Sequence, residues 1–277
     1  MSTEALLNGE LVVAADADTF CLVQVTDTHL TGTQEGRLLG MNTERSAKAV
    51  IEAVLANETA DCILVTGDIA ADGQPDAYAQ LQALLGATVP SLWLPGNHDD
   101  VSNHKDQYAA HMKRRLCARY WDVVMLETQV EGEVGGVLSV TELAALKRAV
   151  DDALAANKAL LIATHHPLRS LDSAWLDDQS VKNASEALEI IKPIADQAAL
   201  ISGHVHQESD DIVNGVRMMT TPSTCVQFAP RSHDFALDAS DPGYRRLVLQ
   251  PDARIETQVV RISDEENRPL LTSSGYH

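Results

Sequence analysis

The sequence predicts an α/β sandwich with mixed sheets. Three observations carry that expectation. Short apolar runs of strand length alternate with longer amphipathic runs, and strand-length runs without helices between them follow near the end. The chain has 277 residues, 45% of them hydrophobic and 22% charged, enough to bury a sizeable core and too apolar for general disorder. No internal repeat, low-complexity linker or boundary interrupts it, so residues 1–277 are read as one domain with its core over about residues 20–262. About the first 18 and the last 14 residues are expected to be peripheral.

Strands are expected at residues 21–26, 62–66, 91–94, 122–127, 160–164 and 199–202, then at 216–221, 246–249 and 255–261. Several are rich in Val, Ile or Leu without polar alternation, as strands covered on both faces are. Helices are expected between the earlier ones. Residues 43–57 place Ala47, Val50, Ile51 and Val54 on one helical face. Pro75 opens a helix over 75–85, at a position where its missing N–H costs nothing. Residues 105–118 read as a polar, partly basic helix. Ser139 and Glu142 have the spacing of a capping box, opening a helix that runs to about Ala156. A further helix over 184–198 should be kinked or divided by Pro193. Residues 131–136, Glu-Gly-Glu-Val-Gly-Gly, are turn chemistry.

The polar residues that follow these strands carry the functional information. Asp27-Thr28-His29, Gly67-Asp68, Gly96-Asn97-His98-Asp99, His165-His166 and Gly203-His204-Val205-His206 each sit at the end of a strand candidate. In open α/β sheets the carboxyl ends of strands are where sites form. Asp-x-His and His-x-His are i, i+2 pairs, and in extended chain such residues share a face. The glycines at 67, 96 and 203 allow sharp turns and close backbone approach. Carboxylate, imidazole and amide donors without thiolate suit Mn, Fe, Zn or Co better than Ca or a structural zinc. Asp27, His29, Asp68, Asn97, His165, His204 and His206 are too many for one ion, and about right for two ions sharing a carboxylate. His104, His111, His233 and His277 have no such context and are read as solvated or structural.

Charge and cysteine content exclude several classes. Forty acidic residues against 21 Lys plus Arg give a net charge of −19. That balance disfavours a non-specific nucleic-acid binder and an anionic membrane surface, but not a small anionic substrate drawn to bound metal. Cys21, Cys62, Cys117 and Cys225 form no C-x-x-C pair, and Cys21 and Cys62 lie in apolar runs, so reduced structural thiols are expected. With an acidic N-terminal stretch and no apolar run long enough to span a bilayer, a cytoplasmic protein is the default expectation.

The ordered set D-x-H, GD, GNHD, HH and GHxH resembles the calcineurin-like metallophosphoesterases over roughly residues 20–262. Closer stretches are LGMNT at 39–43, WLDD at 175–178, KNA at 182–184, GHVHQE at 203–208 and TPSTCVQF at 221–228. These are similar to the bacterial class III 3′,5′-cyclic AMP phosphodiesterases of the CpdA type. The resemblance implies a four-layer α/β/β/α sandwich with a dinuclear centre of Fe, Mn or a mixed pair. Carried over motif by motif, Asp27, His29 and His206 hold one ion, Asn97, His165 and His204 hold the other, and Asp68 bridges them. His166 is the alternative to His165.

The activity implied is hydrolysis of 3′,5′-cyclic AMP to 5′-AMP by a metal-activated hydroxide, with His98 serving the leaving oxygen. Asp99 either orients that imidazole or shapes the turn. Asn97 and His98 are expected at the substrate. Asn42, Asn183, Thr224 and Gln227 lie in the closer motifs as substrate contacts or as loop braces. Trp175 stacks on a base or anchors its loop, and Arg169 and Lys182 contact phosphate or face solvent. The competing expectations are hydrolysis of 2′,3′-cyclic nucleotides, glycerophosphodiesters or other small esters, and a non-catalytic metal-binding scaffold. The partner expected is a small cyclic nucleotide, not nucleic acid or membrane, and the chain is expected to be a monomer or homodimer.

Overall fold

Alternate residues of the buried strands face different cores, and this builds the layers. The computed structural model describes residues 10–12, 18–100, 103 and 111–275. Its first strands are β1 (Glu10–Val12), β2 (Phe20–Val25), β3 (Arg37–Leu38), β4 (Met41–Asn42), β5 (Cys62–Thr66), β6 (Ser91–Leu94), β7 (Arg115–Cys117) and β8 (Trp121–Met125). Then come β9 (Ala159–Ala163), β10 (Ala198–Ser202), β11 (Ser209–Val213), β12 (Val216–Thr220), β13 (Gln227–Phe228), β14 (Leu237–Asp238), β15 (Gly243–Leu249) and β16 (Ile255–Arg261). Among the described residues the helices are α1 (Thr43–Asn57), α2 (Pro75–Leu85), α3 (Val140–Ala156), α4 (Ala174–Asp177) and α5 (Ala184–Ile191).

One sheet has the order β16-β15-β2-β5-β6, the other β1-β7-β8-β9-β10-β12-β11, and both mix parallel and antiparallel pairs. On β5, Cys62 and Leu64 face the core between the sheets, where Leu161 and Ala163 of β9 meet them. Ile63 and Val65 face outward onto Val50, Ile51 and Val54 of α1 and Leu81 of α2. On β9 the outward residues Leu160 and Ile162 pack under Leu146 and Val150 of α3 and Ile191 of α5. The result is the four-layer α/β/β/α sandwich, and it explains why these strands read as continuous apolar runs.

The structure departs from expectation in two places. Residues 115–117 are a strand, not part of a helix; residues 104–110 lie outside the described set. Leu116 is buried while Arg115 reaches across the edge to Asp122 and Asp152, so a partly basic segment still pairs as a strand. The helix from Ala184 is divided as expected at Pro193, stopping at Ile191 and continuing as a 3₁₀ segment, Lys192–Gln197. Only half of the capping box forms: Ser139 accepts from the Glu142 N–H at 3.2 Å, whereas the Glu142 carboxylate accepts from Arg114 and from the Glu127 N–H.

The described parts of the terminal segments are docked on the core. β1 pairs in parallel with β7. Asn267 is buried, accepting from the Asn42 N–H and donating to the Asn42 carbonyl at 2.7 and 2.9 Å. Among the described residues, no helix is long and apolar enough to cross a membrane.

Candidate metal centre

β2, β5 and β6 run parallel in one sheet, and β9 and β10 run parallel in the other. Each ends just before one of the candidate ligand motifs. Asp27, His29, Asp68, His165, His204 and His206 are all buried. Asp27, His29 and His206 form one group whose ligand atoms lie within 4.8 Å of one another; Asp27, Asp68 and His165 form a second. His29, Asp68 and His98 form a third, and His165, His166 and His204 a fourth, so the groups share members and merge into one cluster. Asp68 stands between them, its Oδ2 3.4 Å from His165 Nε2 and 3.8 Å from His29 Nε2. Asn97 Oδ1 lies 3.2 Å from His165 Nε2.

The cluster is not built from extended chain. Asp27, His29, Asp68, His204 and His206 all have positive φ, between 44° and 66°. The i, i+2 pairs therefore converge through left-handed kinks rather than through the pleat of a strand, which corrects the sequence-based geometry. The kinks are held together: Asp27 N–H donates to the Gly67 carbonyl and His29 N–H to the Asp68 carbonyl, each at 3.0 Å. The glycines are needed for close approach. A Cβ on Gly67 would sit 2.4 Å from His165 Nδ1, one on Gly96 2.1 Å from Asp68 Oδ1, and one on Gly203 2.6 Å from Asp27 Oδ2.

Tautomers show that the cluster suits cations. His206 Nδ1 donates to the Val226 carbonyl and His165 Nδ1 to the Thr66 carbonyl, each at 2.8 Å. In the neutral rings Nε2 is then an acceptor. His206 Nε2 nevertheless faces Asp27 Oδ1 at 3.4 Å and His29 Nε2 at 3.2 Å. His204 Nε2 is buried without a hydrogen-bond partner. Acceptors converging on acceptors, away from water, call for positive charge between them.

Burial, aided by neighbouring imidazoles, pushes His29 down to about 3 and holds His204 well below its usual range, so both rings are neutral. His165 goes the other way. Burial is the largest influence and opposes its charge, but the Asp68 carboxylate, Asp27 and the Thr66 carbonyl together pull it up to about 9. Burial would likewise raise Asp68, yet the imidazoles of His165, His98 and His29 hold it well below the carboxylate range. Positive charge is favoured at this point, as a proton or as a metal ion.

The family profile described as calcineurin-like phosphoesterase matches residues 22–208. The chain belongs to the calcineurin-like phosphoesterases. It is 38% identical over 261 residues, 92% of this chain and 94% of the relative, to the Escherichia coli K12 protein named 3′,5′-cyclic adenosine monophosphate phosphodiesterase CpdA. It is 36% identical over 267 residues, 95% of this chain and 97% of the relative, to the Pseudomonas aeruginosa protein of the same name. Among solved structures, a dimetal phosphatase from Danio rerio superposes with a TM-score of 0.58 at 17% identity, over 88% of this chain and 99% of that one. GAP50, described as an anchor in the inner membrane complex of Plasmodium, reaches 0.62 at 15% identity, over 88% and 85% of the two chains. These two show the fold alone.

In this phosphoesterase the cluster opens into a cleft of about 260 Å³. Asp68, Asn97, His98 and His204 line it together with Val134, Trp175, Leu176, Gln179 and Phe228. A larger hollow, about 450 Å³, lies elsewhere among Trp121, Ile212 and Arg217 and holds none of the candidate ligands. His98 Nδ1 donates to the Ala71 carbonyl at 2.8 Å, and its backbone N–H donates to Asp68 Oδ1 at 2.9 Å. Asp99 is buried. Its carboxylate accepts the backbone N–H groups of Ile69, Ala70 and Gly96, tying the Asp68 loop to the Asn97 loop, so the turn-shaping reading is the one the geometry follows. His166 is engaged at both nitrogens, with Thr128 Oγ1 at 2.7 Å and the Val134 carbonyl at 2.9 Å, whereas His165 Nε2 faces Asp68 and Asn97.

Three expected substrate contacts do not line the cleft. Asn42 caps α1, accepting from the Arg45 N–H and donating to the Gln34 carbonyl. Asn183 braces the chain at Leu138 through both ends of its amide. Thr224 is fully buried, with its N–H on the Thr26 carbonyl. Gln227 likewise spends its Nε2 on the carbonyls of Ser223, Cys225 and Val226. Arg169 is bound to Ser209 and Asp211, and Lys182 to Glu133. Trp175 packs edge-on against Phe228 and Phe235, 5.0 and 5.2 Å between centroids, as a loop anchor would, and it also lines the cleft. Val134, Leu176, Gln179 and Phe228 were not expected. Their only sequence signal is adjacency to the turn at 131–136 and to the motifs at 175–178 and 221–228.

Proposed function

We propose that this chain is a metal-dependent 3′,5′-cyclic AMP phosphodiesterase, giving 5′-AMP. The observation that carries the reading is likeness along nearly the whole chain to relatives named for that activity. The acceptor-rich cluster beside a mostly apolar cleft supports it. Two ions would be held by Asp27, His29 and His206 and by Asn97, His165 and His204, with Asp68 shared. The donor set favours iron and manganese over harder ions, with zinc and cobalt as alternatives. When bound, such ions polarise the phosphate and lower the pKa of water, supplying the nucleophile.

The chain's own residues do the rest. Attack of hydroxide on phosphorus breaks the P–O3′ bond, and the departing oxygen needs a proton or a hydrogen bond. In its protonated form His98 donates it from Nε2, since Nδ1–H is given to the Ala71 carbonyl and the neutral ring would only accept at Nε2. Asp99 holds the Asp68 and Asn97 loops in one geometry, so the shared carboxylate and the His98 ring keep their spacing. Val134, Trp175, Leu176 and Phe228 exclude water and face the nucleoside. All four cysteines are free, which supports a cytoplasmic location.

The test is a metal-reconstituted assay comparing 3′,5′-cyclic AMP, cyclic GMP, 2′,3′-cyclic AMP, a glycerophosphodiester and an aryl phosphodiester. Turnover of the aryl ester alone would leave a phosphoesterase of another substrate class.

A further inference from the structure

We propose that Gln179 is the residue that reads the purine, selecting adenine over guanine. This rests on the cyclic nucleotide reading above. With the cyclic phosphate at the ligand cluster, the nucleoside must lie against the remainder of the cleft. That remainder starts at the cluster itself, where the Phe228 ring is stacked on the candidate ligand His206, 4.2 Å between centroids at 14°. Trp175 follows on the far edge of Phe228, and Leu176 and Val134 complete the apolar lining.

Flat apolar and aromatic walls hold any base equally well, because every base has a π-face. They confer affinity without identity. Identity needs a group that presents a donor and an acceptor together, and two cleft side chains can do so, Asn97 and Gln179. The Asn97 oxygen is turned to His165.

Gln179 is fixed in the backbone, its N–H on the Leu176 carbonyl at 2.9 Å and its Cα 3.5 Å from where a Cβ on Gly135 would lie. Its side-chain amide makes no hydrogen bond among the described residues. An amide pairs both ends with adenine, accepting from the N6 amino group while donating to the neighbouring ring nitrogen. On the matching edge guanine presents two acceptors, O6 and N7, and one end of the amide is left facing an acceptor. A paired edge of this kind is worth roughly tenfold or more in discrimination.

The experiment uses the full chain reconstituted with Mn²⁺ and reads the ratio of kcat/KM for cyclic AMP to that for cyclic GMP. The parent should prefer cyclic AMP. Gln179→Met keeps the bulk but removes donor and acceptor, and should lower the ratio about tenfold. Gln179→Lys, a donor only, suits the guanine O6 and N7 acceptors on that edge and faces the adenine N6 amino group, and should lower it further. Equal losses on both nucleotides, or an unchanged ratio in both variants, would overturn the assignment while leaving the cyclic nucleotide reading intact. A parent that turns over neither cyclic nucleotide would remove that reading, and this assignment with it.

Discussion

Replacing Gly96 by alanine should stop the reaction without unfolding the protein. An added Cβ would lie 2.1 Å from Asp68 Oδ1, 2.4 Å from Asp68 N and 2.7 Å from His165 Cε1. Carbon contacts are comfortable only beyond about 3.5 Å, so the Asp68 loop must withdraw by roughly 1 Å. The nearest backbone atom belongs to a candidate bridging ligand, so rotation of a flexible side chain cannot absorb the clash. Overpacking of this kind costs about 1–3 kcal/mol, and a misplacement of about 1 Å at a reacting centre costs about 10²-fold in rate. The expected result is a folded variant whose melting temperature falls by a few degrees and whose kcat falls about 10²-fold, with reduced metal content by elemental analysis.

Gly86 supplies the control. It has φ of +64° at the end of α2, and an added Cβ would meet nothing within 4 Å. Gly86→Ala should cost about 1–2 kcal/mol through backbone strain alone and leave turnover intact. A Gly96→Ala enzyme with a rate within a few-fold of the parent would refute the close-packed geometry of the two loops.

Three further outcomes are expected. His98→Ala should keep its metal and lose about 10²–10⁴-fold in kcat; loss of metal with per-metal activity retained would show instead that His98 is a ligand. Removing the metal with a chelator should lower the melting temperature by roughly 8–16 °C, from about 4 kcal/mol of binding stabilisation at a thousand-fold excess over Kd, and an unmoved transition would argue against a structural cation in the cluster. His111 is stacked on Trp93 at 4.2 Å, and burial holds its ring below the usual value of 6.5. The unfolded chain therefore takes up the proton first, and stability present above pH 6.5 is lost as the pH falls below it. In urea unfolding, the difference between the parent and His111→Gln should shrink on acidification; a pH-independent difference would count against this.

What could be read from the sequence follows from what each signal depends on. The central strands were legible because burial on both faces removes polar alternation: every residue of β5 and β9 is buried. The candidate ligands were legible because five strand ends each deliver them to one place. The strand β11, Ser-Asp-Asp-Ile-Val, was missed because it is a solvent-facing sheet edge, with its central residues exposed. β7 was misread because Arg115 balances its charge across the strand pair on Asp122 and, further along the chain, on Asp152 of α3, and only the fold shows those partners. Asn42, Asn183 and Thr224 show the limit of motif likeness. An asparagine at the start of a helix is as useful for capping as for contacting a ligand, and the motif alone cannot separate the two. The cleft walls other than Trp175 were invisible for a related reason. Val134, Leu176 and Phe228 come from three separate segments, and only the fold brings them to one surface.

The left-handed ligands link the fold to the chemistry more tightly than the strand ends alone. Each non-glycine residue in that region carries about 1–2 kcal/mol of strain, so Asp27, His29, Asp68, His204 and His206 together hold a sum on the order of the whole stability of a domain. Asp is among the residues that tolerate this region best, but the strain must still be offset where it arises. Part of the offset is backbone. The parallel pairing of β2 and β5 continues beyond the strand ends through Asp27 to Gly67, His29 to Asp68 and Leu30 to Ile69, so the two kinked segments keep register with each other. Another part is the Asp99 carboxylate on three backbone N–H groups, a buried charge with its own desolvation cost that is raised to about 6 by burial and by the Asp68 carboxylate. What these bonds leave is electrostatic: His206 Nε2 faces the Asp27 carboxylate acceptor to acceptor, although the His204 N–H and the Thr26 hydroxyl also donate to that carboxylate. A cation relieves that repulsion directly, and at His165 the Asp68 carboxylate already favours a proton in its place. The strained backbone and the repelling donors are thus two expressions of one arrangement, a site shaped for metal by the chain before any metal is bound.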